Sequence, residues 1–115
     1  MSITSFLVRW NFSRNDKKRD AGLTTPDTVK RFDDIPYRPN PKWQVLDVYR
    51  PKSSEGVLPV IVNVHGGGCV YGDKELYQYY CMGLAEHGFA VVNFTYRLAP
   101  EYKFPAALED TNLVF

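Results

Sequence analysis

The 115 residues are 44% hydrophobic and 15% aromatic, enough apolar mass for a folded core and too much for a disordered chain. Fourteen basic residues against thirteen acidic ones leave a net charge of +1. The one basic triplet, Lys17-Lys18-Arg19, runs straight into Asp20, which reads as solvated surface and not as a nucleic-acid stripe.

No apolar run is long enough to span a membrane, and Phe6-Leu7-Val8 with no small-residue cleavage site makes a poor secretory signal. The expected location is cytoplasmic. Cys69 and Cys81 stand twelve positions apart without paired histidine ligands, so they form neither a disulfide framework nor a zinc site. Buried free thiols are expected.

Residues 2–12 predict a short amphipathic helix capped by Ser2. Ile3, Phe6, Leu7 and Trp10 fall at i, i+3, i+4 and i+7 on one face, which should dock on the domain. Residues 13–27, broken by Gly22 and Pro26, read as a mobile connection. Val29 to Tyr37 predicts an irregular edge strand ended by Pro36, and Arg38 to Lys42 a turn. A second strand follows from Trp43 to Tyr49, then a loop from Pro51 to Gly56. Val57 to Val64 is almost wholly apolar and β-branched, the pattern of a strand buried on both faces of a parallel sheet.

Glu75 to His87 has helical spacing through Leu76, Tyr80 and Leu84, with Gly88 placed for a left-handed C-terminal cap. Phe89 to Phe94 is the next buried strand, closing a right-handed βαβ unit. Pro105 suits the first turn of a last helix. In that helix Glu109 and Asp110 should favour the positive end of the dipole. The chain stops on Leu113-Val-Phe115, apolar residues inside this helix, which reads as a truncated chain.

Where the buried strand ends, His65 leads into Gly66-Gly67-Gly68. An acyl carbonyl under attack gains a negative charge, and each preorganised donor to it contributes ~3–4 kcal/mol. Backbone N–H groups suit that task, and glycine lets the backbone turn sharply with no Cβ in the substrate's way. Two other readings compete. Gly66, Gly68 and Gly72 approach a dinucleotide fingerprint, but the last interval is one residue too long and Glu86 falls in a helix. The glycines could also make a tight turn and nothing more. No Gly-Lys-Ser/Thr follows, so a P-loop is excluded.

His65-Gly-Gly-Gly68, Tyr96-Arg-Leu-Ala-Pro-Glu101 and Phe104-Pro-Ala-Ala-Leu-Glu-Asp110 together resemble the hormone-sensitive-lipase-like branch of the α/β-hydrolases. Leu46 to Pro51 and Gly72-Asp-Lys74 are similar to carboxylesterases and acetyl esterases of that group. The resemblance covers residues 33–115. It implies an α/β fold, the N-terminal half of a mostly parallel sheet flanked by helices, truncated before the nucleophile elbow. Residues 1–27 would be an N-terminal helix and linker, a candidate cap segment, and 28–115 the hydrolase portion, with strand order 1-2-4-3.

The resemblance also implies roles. Gly67 and Gly68 would donate N–H groups to the oxyanion, Gly66 would enable the turn, and His65 would brace the loop without being the catalytic histidine. Arg97 would pair with Glu101 or Asp110. Cys69 departs from the aromatic residue common at its position.

No Gly-x-Ser-x-Gly occurs in the chain. Ser2, Ser5, Ser13, Ser53 and Ser54 lie in the first helix or in loops, His87 sits at a helix end, and Cys69 has no activating base. Nucleophile, acid and base are therefore not expected here. The chain reads as the N-terminal part of a serine hydrolase of short-chain esters, inactive alone. The substrate would be a small ester, with no metal or organic cofactor, no nucleic acid and no membrane span. The alternative is a non-catalytic binding module, or a short protein docking through its strand edge.

Overall fold

A computed structural model describes residues 2–115; Met1, the first residue of the 1–27 segment, lies outside them. Ser2 caps helix α1 (Ile3–Asp20), its side chain accepting the Ser5 N–H at 3.1 Å. The cap is the expected one, but the helix runs on to Asp20, so residues 13–20 are not a connection. Arg, Asp and Lys hold helical geometry without burial. Arg19 pairs with Asp16 one turn back at 3.2 Å, and Lys17, Lys18 and Arg19 complement the dipole in the last turn.

The apolar face of α1 does not dock. Ile3, Phe6, Leu7 and Trp10 are 81%, 58%, 54% and 51% exposed. Polar side chains fasten the helix instead. Arg9 donates from Nε to the Val70 carbonyl and from Nη2 to the Ala99 carbonyl, both at 2.8 Å, and grips Glu101 through two bonds of 2.8 Å. Arg19 donates to the Leu76 carbonyl at 2.7 Å. Phe12 stacks on Tyr71, whose hydroxyl bonds to Asp16.

Strands β1 (Val29–Pro36), β2 (Val45–Pro51), β3 (Val60–Val64) and β4 (Ala90–Phe94) form one sheet in the order β1-β2-β4-β3, as expected. β1 pairs antiparallel with β2, β2 antiparallel with β4, and β4 parallel with β3. The irregularity predicted for β1 is a register shift between Phe32 and Ile35, where Asp34 takes φ 55°. β2 alternates, but its fully buried phase is Val45, Asp47, Tyr49 and Pro51, placing a carboxylate in the core row.

The strand Val60–Val64 is the edge that this order implies. It is not buried on both faces, with Val60 62% and Val64 48% exposed. A β-branched run reports the sheet environment it suits, not whether a neighbour stands on its open side. β4 takes the inner position beside it, as the order implies, with Val91 and Phe94 fully buried.

A 3-10 turn (Lys74–Tyr77) leads into α2 (Gln78–Glu86). The buried face of α2 is Cys81, Met82 and Ala85, while Tyr80 from the predicted row points to solvent. Gly88 adopts φ 96° and donates to the Ala85 carbonyl at 3.1 Å, the left-handed cap foreseen. α2 packs on one sheet face over Val29, Tyr49 and Val91. On the other face Trp43, Phe94, Tyr96 and Leu98 meet Ala107 and Val114 of α3 (Ala106–Val114). Among the described residues no helix is long and apolar enough to cross a membrane.

Candidate active site

The glycine loop leaves the sheet at the C-terminal end of β3. Gly67 and Gly68 take φ 136° and 61°, and Gly72 takes φ 112° as the chain returns. A Cβ on Gly67 would lie 1.8 Å from the Tyr71 carbonyl oxygen, so that position requires glycine on steric grounds as well. Val70 and Tyr71 both donate to the Gly67 carbonyl, at 3.3 and 3.2 Å, closing the turn. The Cys69 carbonyl accepts the Ala99 N–H at 2.9 Å. Among the described residues, the N–H groups of Gly66, Gly67, Gly68 and Cys69 have no acceptor within the protein.

His65 braces this turn from below. Its buried Nδ1 lies 2.9 Å from the Gly66 carbonyl oxygen, which requires the proton on Nδ1. The ring stacks on Tyr96 with centroids 4.1 Å apart, and the Tyr96 hydroxyl donates to the His65 carbonyl at 2.5 Å. Burial lowers the His65 pKa from its ordinary value, and buried Nε2 has no partner among the described residues. A proton added there would meet no acceptor. Burial and the unpartnered Nε2 thus favour the neutral His65 imidazole.

The return limb of the loop ends at Lys74, buried among carboxylates. Its Nζ lies 2.7 Å from Glu75, 2.9 Å from Asp34 and 3.1 Å from Asp47. Burial opposes the charge, but hydrogen bonds that the ammonium donates to Glu75, Asp34 and Asp47 outweigh it and raise its pKa.

Between α1 and the glycines lies a cleft of 520 Å³ lined by Val8, Phe12, Gly66–Gly68, Tyr71 and Tyr77. A larger cleft of 620 Å³, walled by Trp10, Asp34, Trp43 and Lys74, touches Gly72 but does not reach Gly66–Gly68. Its charged lining is largely ion-paired, whereas the smaller cleft beside the glycine amides is more apolar. No serine lines that cleft among the described residues.

Arg97 meets Asp110 at 2.8 Å, while Glu101 pairs with Arg9 and not with Arg97. Asp110 does not serve the helix dipole. It is fully buried, receiving the Arg97 N–H and the Gln44 amide, each at 2.9 Å. His87 is exposed and bonds the Gly83 carbonyl at 2.8 Å, as its helix-end position suggested. Of the two thiols only Cys81 is buried, which pushes its pKa up to about 12; Cys69 is exposed. Among the described residues no His, Cys, Asp or Glu cluster is suited to a metal ion. The Lys74 cluster and the Tyr96 stack were not foreseen as site architecture. Their only signals were Gly72-Asp-Lys74 and Tyr96 within the similar motifs.

Residues 46–115 match the BD-FAE family. Esterase LipI of Mycobacterium tuberculosis is 35% identical over 98 residues, 70% of this chain and 31% of its own length. Probable carboxylesterase 11 of Arabidopsis thaliana is 45% identical over 80 residues, 62% of this chain and 17% of its own length. The crystal structure of esterase B from Lactobacillus rhamnosis superposes with a TM-score of 0.88 at 30% identity, covering 96% of this chain and 36% of that one. The chain therefore spans well under half the length of the relatives and structures it matches. It belongs to the BD-FAE family, and its mixed sheet is the N-terminal half of an α/β-hydrolase fold of the hormone-sensitive-lipase-like carboxylesterase group.

Proposed function

We propose that this chain supplies the oxyanion-stabilising loop of a serine carboxylesterase acting on short-chain esters, with the Gly67 and Gly68 N–H groups as donors. One observation carries the reading. The amides at the end of β3 have no acceptor within the protein, yet the loop that holds them is fixed by steric contact and by His65. Donors that are rigid and unspent are what a developing oxyanion needs, because no reorganisation is left for the reaction step. Gly66 enables the turn, His65 braces it, and the apolar cleft beside them receives the ester.

Residues 1–27 act as a cap segment through α1, and 28–115 are the portion of the hydrolase domain. The chain needs no cofactor, and its unpaired thiols fit a cytoplasmic location. With no Gly-x-Ser-x-Gly, it forms no acyl-enzyme by itself. A second reading, a protein docking through its strand edge, draws on the open β3 edge.

The test is hydrolysis of p-nitrophenyl acetate by the purified chain beside Gly67→Pro. Neither protein should turn over ester above buffer. Turnover by the wild-type chain, lost in the variant, would contradict the assignment of the nucleophile to residues outside this sequence. Cys69 would then be the first candidate.

A further inference from the structure

Lys74 is a buried cation that the oxyanion chemistry does not use. Its Nζ is held by Asp34 at the β1 bulge and by Asp47 in the core row of β2. Asp47 is itself fixed, receiving the Tyr49 hydroxyl and the Asp34 N–H, each at 2.9 Å. The main chain of Lys74 is bound as tightly to the end of β4. Its N–H donates to Thr95 Oγ1 at 3.0 Å, and its carbonyl accepts from the Asn93 amide. Three strands therefore converge on one residue.

Gly72, two positions earlier, lies directly against the outgoing limb of the glycine loop. A Cβ there would stand 2.5 Å from His65 Nδ1 and 2.7 Å from the Gly66 carbonyl oxygen. No slack separates the two limbs, so where Lys74 sits decides where Gly72 presses on His65 and Gly66.

We propose that Lys74 is a positioning residue: held by carboxylates from β1 and β2, it pins the return limb of the glycine loop and so sets the aim of the Gly67 and Gly68 N–H groups. This rests on the reading of the loop as an oxyanion cradle and assigns that cradle's geometry to an ion cluster outside the ester cleft.

Amide hydrogen exchange by NMR tests it in the 115-residue chain. The reporters are the Val70 and Tyr71 amides, which close the turn on the Gly67 carbonyl. Lys74→Met removes the cation, and Lys74→Met/Asp47→Asn removes it without leaving a buried bare carboxylate. Val91→Ala, in the α2-facing core, is the control for general destabilisation. At matched global stability, both Lys74 variants should exchange the two reporter amides about tenfold faster than the control.

Titration with ethyl butylphosphonate, a tetrahedral monoanion, supplies a second readout. The Gly67 and Gly68 signals should saturate in the wild-type chain and need about tenfold more ligand in the Lys74 variants. Reporter exchange no faster than in Val91→Ala would overturn the proposal. If the wild-type glycine signals ignore the phosphonate, the oxyanion reading fails while the exchange comparison still judges Lys74. Should neither Lys74 variant fold, Asp34→Asn removes an exposed partner and poses the same question: faster reporter exchange supports the proposal, unchanged exchange overturns it.

Discussion

The imidazole of His65 lies flat on the ring of Tyr96, 4.1 Å between centroids and 8° between planes, while the Tyr96 hydroxyl binds the His65 carbonyl. One tyrosine thus fixes both the side chain and the main chain of the residue that opens the glycine loop. Tyr96→Phe keeps the stack and removes the donor to a buried residue, at a cost of about 1–3 kcal/mol. A urea melt of the variant measures this directly.

The pH dependence of stability follows from the same environment. Burial holds the folded His65 pKa below its ordinary 6.5, so the unfolded chain takes up the proton first. The His65 contribution is complete above pH 6.5 and declines as pH falls below that value. Urea melts between pH 8 and pH 5 should show this loss in the wild-type chain and a shallower one in His65→Asn. Equal slopes would refute the assignment of a neutral imidazole.

The glycines differ in what they tolerate. Gly68 has open space at its Cβ position, so Gly68→Ala meets only the left-handed strain, about 1–2 kcal/mol. Gly67→Ala adds collision with the Tyr71 carbonyl, and overpacking on top of strain brings its cost to about 3–5 kcal/mol. Thermal melts that reversed this order would contradict the loop geometry.

Much of the fold was legible in the residues. The Ser2 and Gly88 caps and the Pro36 stop follow from local chemistry that packing reinforces, and the strand order follows from the family resemblance. The face of α1 was not. Its i, i+3, i+4, i+7 row records an apolar stripe, but Arg9 and Arg19 reach distant backbone carbonyls on the opposite terms, and no periodicity encodes that. The burial of β3 was misread for a related reason: Val60 to Val64 has the composition of a strand covered on both faces, although the strand order places it at the edge. In the site, three consecutive glycines announced the loop, whereas Lys74 draws its partners from two separate strands and could not be assembled from spacing.

The clamp on α1 should loosen in acid. Hydrogen bonding from Arg9 pulls the Glu101 pKa from 4.5 to about 2. A depressed carboxylate contributes its stability in full above pH 4.5, and that contribution is lost as pH falls toward 2. Exchange protection of α1 amides, corrected for intrinsic rates, should drop across this window in the wild-type chain. In Arg9→Ala it should already be low at pH 5. Identical profiles would mean that the pair does not hold the helix.

The open edge of β3 predicts self-association. The Ala90 N–H bond to the Pro59 carbonyl sets the phase, so Val60, Val62 and Val64 turn their own amides outward. Sedimentation velocity should reveal oligomers that Val60→Lys disperses, because a charge on an edge strand opposes pairing. A wild-type chain that sediments as a monomer would count against the exposed edge as a sticky one.

The central claim is that the Gly67 and Gly68 amides form an oxyanion cradle, and a ¹⁵N–¹H titration with ethyl butylphosphonate tests it most directly. The account predicts saturable shifts concentrated at Gly67 and Gly68 in the wild-type chain and abolished by Gly67→Ala. Shifts confined to surface lysines and arginines, or none at all, would contradict it.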